Sequence, residues 1–203
     1  MNFFLQTVSQ IFNALVLIVK GDNTANEHIA VSQAHWLLSW LMVIAGSFIY
    51  MLYLPNAFVN STTGKIISET VVYTDFKSAN MISLISSLFV GYLIVYLFEK
   101  PFQYSGSVLR YIVFQNWIFL AFIISFLPLY ATTGGYSSSN PFAALSLFIF
   151  IFSVFLTYKA LKLLLSIDGL KALMLLVVLI VFELTLKYKI DDWFGLLVKP
   201  SHA

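Results

Sequence analysis

The chain has 203 residues, of which 60% are hydrophobic and only 10% are charged, with a formal net charge of +2 and no cysteine. A soluble globular chain carries about 25% charged residues, so this composition is typical of a membrane protein. The charge is small and spread along the chain, so nucleic acid is not expected as a partner. The lack of cysteine excludes disulfides, thiolate metal sites, iron–sulfur clusters and cysteine nucleophiles.

The first twenty residues, MNFFLQTVSQIFNALVLIVK, combine apolar side chains with polar side chains, of which only Lys20 is charged. The polar side chains recur at spacings of three and four or their multiples, which places them on one face of a helix. This pattern predicts that residues 1–20 form an amphipathic helix in the interface plane of the membrane. A sixth membrane span over residues 3–19 is the alternative. The polar residues are Asn2, Gln6, Ser9, Gln10, Asn13 and Lys20.

Five further segments are long and apolar enough to cross a hydrocarbon core of about 30 Å. The sequence therefore predicts an all-α polytopic bundle, a five-helix transmembrane domain over residues 33–190. The fifth span contains Lys171 and Glu183, whereas the other four contain no charged residue. The predicted spans are Trp36 to Leu54, Met81 to Phe98, Tyr111 to Tyr130, Pro141 to Tyr158 and Leu170 to Lys187.

Two segments outside the predicted spans have different characters. Residues 56–80 are rich in threonine, valine and isoleucine around Gly64, which favours a β-hairpin or an extended strand in an external loop. Residues 191–203 begin with an acidic pair and continue with apolar residues, as in a C-terminal tail that lies on the membrane surface.

The distribution of lysine and arginine predicts the orientation. A cytoplasmic N-terminus places six of the eleven basic residues inside, and it leaves the charge-free loop 131–140 outside. We therefore expect a multi-pass membrane protein with the N-terminus in the cytoplasm and the C-terminus external. The six are Lys20, Lys100, Arg110, Lys159, Lys162 and Lys171.

Two adjacent carboxamides, Gln115 and Asn116, stand near the start of the third span, and Pro128 stands near its end. Because lipid supplies no hydrophobic drive for helix association, we expect both carboxamides to face the bundle and to hydrogen-bond to neighbouring spans. Pro128 would free the carbonyl of Ile124 and bend the end of the helix. A polar lining for a substrate path is the alternative interpretation.

Small residues at helical spacing predict the surfaces through which the spans pack. Ser83, Ser87 and Gly91 are spaced by four and form one stripe on the second span, and Gly46 and Ser47 lie together in the first.

Glu183 is the only acidic residue well inside a predicted span. A carboxylate at that depth costs a few kcal/mol if it faces lipid, so it should face protein, become protonated or form an ion pair. Lys187 is four residues later on the same helical face and is the simplest partner. The alternative is a functional carboxylate that meets Gln115, Asn116 or a partner subunit's cation. The predicted depths favour a partner chain or water over Gln115 and Asn116.

The sequence contains few residues in patterns that are typical of catalytic or metal sites. His28 and His35 are seven residues apart beside Glu27 and could gather as metal ligands, but no further ligand is local and interfacial histidines are preferred. No nucleophile elbow, zinc-protease motif or phosphate-binding loop occurs. We therefore expect no enzyme activity, no metal and no cofactor.

An N-terminal in-plane helix, five closely spaced spans, a cytoplasmic N-terminus and a short external C-terminus together resemble the Yip1-domain membrane proteins. The resemblance covers the span arrangement of nearly the whole chain and implies a non-enzymatic membrane component that works through protein partners. A bacterial inner membrane is preferred to a eukaryotic endomembrane as its location.

Two functions are therefore expected in order of preference. The first is an integral membrane scaffold, assembly factor or accessory subunit, which acts through a membrane-protein partner or as a homo-oligomer in the lipid bilayer. The second is a small transporter or channel component, which would need a continuous polar route through the bundle.

Overall fold

The structure is a computed structural model that describes residues 2–53, 71–133 and 143–194. Over these residues the fold is all-helical with no strand, which confirms the all-α part of the predicted fold class. The helices are α1 (Phe3–Lys20), α2 (Ala25–His28), α3 (Gln33–Tyr53), α4 (Val71–Leu97), α5 (Glu99–Phe102), α6 (Val108–Thr133), α7 (Ala143–Leu164) and α8 (Gly169–Trp193).

Six of the described helices are long and apolar enough to cross a membrane, namely α1, α3, α4, α6, α7 and α8. Their length and composition indicate a multi-pass membrane protein. Large apolar side chains remain exposed along every one of these helices, as hydrocarbon contact requires.

The helices extend beyond the predicted spans, and one prediction is wrong in part. Residues 71–80 belong to α4 and are helical, although their β-branched composition favoured an extended loop. Helix formation is cooperative, so a long apolar helix propagates through neighbouring residues of modest helix propensity. Residues 56–70 and 195–203 lie outside the described residues. The helix α6 continues through Pro128 to Thr133.

Four helices surround a central space in the order α4, α8, α7 and α6, and α3 packs along the outside of α6. The helices α3 and α6 run parallel, because Ser39 near the start of α3 hydrogen-bonds to Asn116 near the start of α6. The helix α4 runs in the opposite direction, since Tyr92 near its end also hydrogen-bonds to Asn116.

One end of the bundle, which we call the paired-loop end, is formed by segments 103–107 and 165–168. The backbone N–H of Gly106 donates to the Leu165 carbonyl at 2.9 Å, and that of Ser107 donates to the Leu164 carbonyl at 2.9 Å. A Cβ atom on Gly106 would lie 2.1 Å from the Leu164 carbonyl oxygen, so this close approach requires glycine. The pairing fixes the start of α6 against the junction between α7 and α8.

The helix α1 begins and ends at defined caps. The Asn2 side chain accepts from the Phe4 N–H at 3.2 Å, and Gly21 adopts a left-handed φ of 80° that ends the helix. The Phe3 ring lies 4.8 Å from the ring of His35, near the start of α3. After the other end of α1, Gly21 approaches Lys159 in the last turns of α7. Both ends of α1 therefore contact the bundle near the paired-loop end.

Three faces of α1 differ in their surroundings. One face is buried against the bundle, and the second and third are exposed, one apolar and one polar. At 3.6 residues per turn the three faces are roughly a third of a turn apart. The buried face consists of Thr7, Ile11, Ala14 and Ile18; the exposed apolar face includes Leu5, Val8, Phe12 and Val19; the exposed polar face consists of Asn2, Gln6, Ser9, Asn13 and Lys20.

Candidate intramembrane site

A cavity of about 270 Å³ lies between α4, α6, α7 and α8, and it is lined by the second half of α4, the first half of α6 and the middle of α7 and α8. Every one of the four helices contributes polar side chains to its wall. Aromatic and aliphatic side chains complete the lining, among them Phe119, Phe122 and Phe182. The polar residues are Ser87, Tyr92, Tyr111, Gln115, Ser153, Thr157 and Glu183.

Gln115 lies in the cavity wall and connects two helices. Its Nε2 donates to the Tyr111 hydroxyl at 3.0 Å, one turn earlier on α6, and to Thr157 Oγ1 on α7 at 3.4 Å. No described residue donates to the Gln115 carbonyl oxygen, so this oxygen can accept a hydrogen bond from a molecule in the cavity.

Asn116 points away from the cavity and is fully buried. Its Oδ1 accepts from the Tyr92 hydroxyl, and its Nδ2 donates to Ser39 Oγ at 3.0 Å. Ser39 in turn donates to the Trp36 carbonyl at 2.8 Å. The carboxamide thus connects α3, α4 and α6 in a closed network in which its nitrogen and its oxygen both have partners.

Glu183 lines the cavity from α8, and the predicted ion pair with Lys187 is absent. Lys187 instead contacts Asp191 one turn later, with Nζ 2.9 Å from Oδ2. A lysine near the end of a span extends towards the interface, and Asp191 lies in that direction. Within the described residues, no cation lies within 4.0 Å of the Glu183 carboxylate.

Gln115 and Glu183 line the same cavity, although Gln115 lies seven residues after the start of α6 and Glu183 lies fourteen residues after the start of α8. The two side chains approach it from helices that both begin at the paired-loop end. The cavity is elongated enough along the helices to be lined by residues from Tyr111 to Phe122 of α6. Because the cavity is this long, both residues can line it although they lie at different positions along their helices. Asn116 does not belong to this site.

The small residues that were predicted to mediate packing between spans lie in different environments. Gly46 lies against the Phe119 ring on α6, where an added Cβ would be 3.0 Å from the ring. Ser47 and Ser83 are buried. Ser87 and Gly91 line the cavity, and a Cβ on Gly91 would meet only Leu179 at 3.7 Å.

His35 has a local structural role at the start of α3. His35 Nδ1 lies 2.6 Å from Ser32 Oγ, and the same hydroxyl accepts from the His35 backbone N–H at 3.3 Å, which caps the start of α3. No group of three metal-ligating side chains occurs among the described residues.

Three titratable side chains in the loops of the paired-loop end, Asp22, Tyr104 and Asp168, have shifted pKa values. The pKa of Asp168 is lowered, first by the hydrogen bond that its carboxylate accepts from the Lys171 backbone N–H at 2.9 Å. Hydrogen bonds from Thr24 lower the pKa of Asp22 in the same way. Burial raises the pKa of the Tyr104 hydroxyl.

The sequence analysis missed several cavity residues, namely Tyr92, Tyr111 and Thr157, whereas Ser153 was expected to mediate helix packing. A weak signal for them exists, because Tyr111 precedes Gln115 by four residues and Ser153 precedes Thr157 by four. Each pair therefore lies on one helical face. Nothing in the sequence indicates that the two faces meet.

Comparison with family models, curated proteins and solved structures gives no match. The residues and geometry described above are therefore the basis for inferring a function.

Proposed function

We propose that this protein is an integral membrane scaffold, assembly factor or accessory subunit that acts through protein contacts at the paired-loop end. The proposal includes five spans, α3, α4, α6, α7 and α8, with α1 in the interface plane. The observation that carries it is the arrangement of α1. This helix is docked to the bundle by one face and leaves an exposed polar face with a single charged residue.

The contacts of α1 support the in-plane position. A helix that crossed the bilayer would contact opposite ends of the bundle, but Phe3 meets the start of α3, and Gly21 meets the last turns of α7. The polar face would also be costly in lipid, because unpaired amides have no water there to bond. In the interface plane, the apolar face meets hydrocarbon and the polar face meets water.

The polar face of α1 is suited to a protein partner. Interfacial helices that bind lipid headgroups are rich in lysine and arginine on their polar face. Here the face offers amides and a hydroxyl, with Lys20 alone at its end. Amides form directional hydrogen bonds with another protein surface at little desolvation cost compared with charges.

The proposed orientation places the paired-loop end in the cytoplasm and the C-terminus outside. The distribution of lysine and arginine supports it, because the six basic residues counted as cytoplasmic belong to helix ends and loops at or near the paired-loop end. Lys187 and Lys189 lie towards the other end of α8.

Single-cysteine labelling tests the position of α1 directly, since the natural chain has no cysteine. Asn2→Cys and Asn13→Cys should both react with a membrane-impermeant maleimide from the cytoplasmic side, as Ser166→Cys should. The matched variant Phe12→Cys, on the apolar face, should remain unlabelled. Labelling of Asn2→Cys from the outer side, or protection of Asn13→Cys, would indicate that α1 spans the membrane.

Co-purification tests the scaffold function. In mild detergent, the protein from its native membranes should carry a partner chain in fixed stoichiometry, and Gln6→Ala combined with Asn13→Ala should lose it. Lys189→Ala combined with Asp192→Ala removes exposed polar side chains at the other end and should retain it. Purification without a stoichiometric partner, or equal recovery with both variants, would contradict the proposal.

The cavity favours a second candidate function, a small transporter or channel component. Polar side chains from four spans line a space inside the bundle, as a route for a polar solute requires. Such a protein should purify mostly as copies of itself. The resemblance to Yip1-domain proteins stays a prediction and accords with the first function.

A further inference from the structure

The cavity contains one carboxylate without a counter-ion. Glu183 lies in its wall and remains exposed in this fold, and none of the side chains that line the cavity is lysine, arginine or histidine. An ionised carboxylate within a span is stable only with a cation or with several hydrogen bonds. Among the described residues, no hydrogen bond or ion pair reaches its oxygens. The ionised form therefore needs a positive charge that this chain does not provide.

Acceptors on the other walls add to the preference for a cationic donor. The Gln115 carbonyl oxygen has no described donor, and the hydroxyl oxygen of Thr157 already accepts from Gln115 and has a second lone pair. A protonated amine has three N–H donors and no acceptor. Glu183 and these oxygens can each accept from such donors, whereas an anion would be repelled by Glu183.

The apolar part of the lining indicates that the cation carries an organic body. Three phenylalanine rings, Phe119, Phe122 and Phe182, share the wall with aliphatic side chains. A bare inorganic cation would bind only oxygen ligands and would leave this apolar part of the wall without a partner. Aromatic rings instead stabilise an organic ammonium through apolar contact and through their negative faces.

The volume limits the size of that body. A cavity of about 270 Å³ lies just below the usual range for ligand cavities of roughly 300–1,000 Å³. It accommodates a small molecule with a single ring or a short chain, and it is too small for a two-chain lipid.

We infer that the cavity between α4, α6, α7 and α8 is a binding site for a small organic amine, whose ammonium group pairs with Glu183 and whose apolar body packs on the phenylalanine rings. This site is independent of the scaffold proposal, because it uses none of the exposed residues of α1. It supplies a substrate or ligand class for the second candidate function.

A matched pair of probes tests the charge requirement. Phenethylammonium and 2-phenylethanol share one aromatic body, and only the first carries a positive charge. Binding of each would be measured by calorimetry to the purified full chain in detergent at neutral pH, with empty micelles subtracted. We expect phenethylammonium to bind at least roughly tenfold tighter than the alcohol, as an ion pair in a low-dielectric site predicts.

Three variants assign this preference to the cavity. Glu183→Gln should remove the preference for phenethylammonium, and Asp192→Asn, at the exposed end of α8, should retain it. Thr157→Val preserves the shape of the side chain and should weaken phenethylammonium binding several-fold. If Glu183→Gln fails to fold, the Thr157→Val variant tests whether the amine binds in this cavity. The inference is overturned by equal affinity for the two probes, by no saturable binding of phenethylammonium, or by binding that both cavity variants leave unchanged.

Discussion

Two polar regions lie side by side within the spans and differ in completeness. In the Asn116 network, the buried carboxamide uses both its oxygen and its nitrogen to connect α3, α4 and α6. In the cavity, the Gln115 carbonyl and the Glu183 carboxylate remain without described partners. The difference indicates that the first region holds the bundle together and the second is open to a molecule from outside the chain.

Helix geometry explains why adjacent residues belong to different regions. Consecutive side chains on a helix are separated by about 100°. When Asn116 points towards α3 and α4, Gln115 therefore points towards α7 and the cavity. Both regions depend on the height of α6 relative to its neighbours, which the paired-loop end fixes.

The largest expected effect comes from disrupting the contact between the paired loops, on which both polar regions depend. Gly106→Ala would place a Cβ 2.1 Å from the Leu164 carbonyl oxygen and displace two backbone hydrogen bonds. Overpacking and the lost hydrogen bonds together should lower the free energy of unfolding by about 2–4 kcal/mol. Thermal unfolding in detergent would measure the loss.

Gly91→Ala is the matched control, because its Cβ would make only an ordinary contact with Leu179 at 3.7 Å. Its stability should be unchanged or higher by up to about 1 kcal/mol, since alanine favours a helix more than glycine does. Equal losses in the two variants would show that the paired loops are not tightly fixed.

A smaller effect is expected at the open region. Glu183→Gln removes a charge that has no partner in the described fold, so the free energy of unfolding should stay within about 0.5 kcal/mol of wild type or increase. Denaturant titration in mixed micelles would measure it. A loss above about 1 kcal/mol would mean that Glu183 is satisfied within the protein and that the two regions do not differ as described.

Hydropathy was sufficient to predict the class of the protein and the positions of its long helices, because lipid requires long apolar segments with internal backbone hydrogen bonds. It did not predict the helical residues 71–80, since local β-propensity is overridden when a helix propagates. The paired loops were not predicted either, because Gly106 is explained only by its distance to another segment.

The candidate site was predicted in part. Gln115 and Glu183 stood out as polar residues in apolar spans, but the sequence gives no relative rotation or tilt of the helices. It therefore could not place the two residues in one cavity, and it paired Lys187 with Glu183 rather than with Asp191. Tyr92 and Tyr111 resembled ordinary interfacial or core aromatics until their hydroxyl partners were known.

The smallest expected effect concerns the cap of α8, outside both regions. The folded-state pKa of Asp168 is lowered from its ordinary value of 3.8, so its contribution is present above that pH and is lost as the pH falls through the folded-state pKa. Asp168→Ala should lower the Tm slightly at pH 7, and its difference from wild type should shrink below about pH 4.

Asp168→Asn separates the charge of this cap from its hydrogen bond. Asparagine also caps a helix but does not titrate, so the Tm of this variant should lack the acid-dependent component. A wild-type Tm that responds to acid no differently from that of Asp168→Asn would exclude Asp168 as its source.

The unfolding free energies of two neighbouring variants, Asn116→Leu and Gln115→Leu, test the central distinction most directly. Asn116→Leu leaves the Tyr92 hydroxyl without its acceptor and Ser39 without its donor, and should cost about 1–3 kcal/mol. Gln115→Leu removes two weaker contacts at an open cavity and should cost less than about 0.6 kcal/mol. Equal losses, or a larger loss for Gln115→Leu, would contradict the account of one closed and one open polar region.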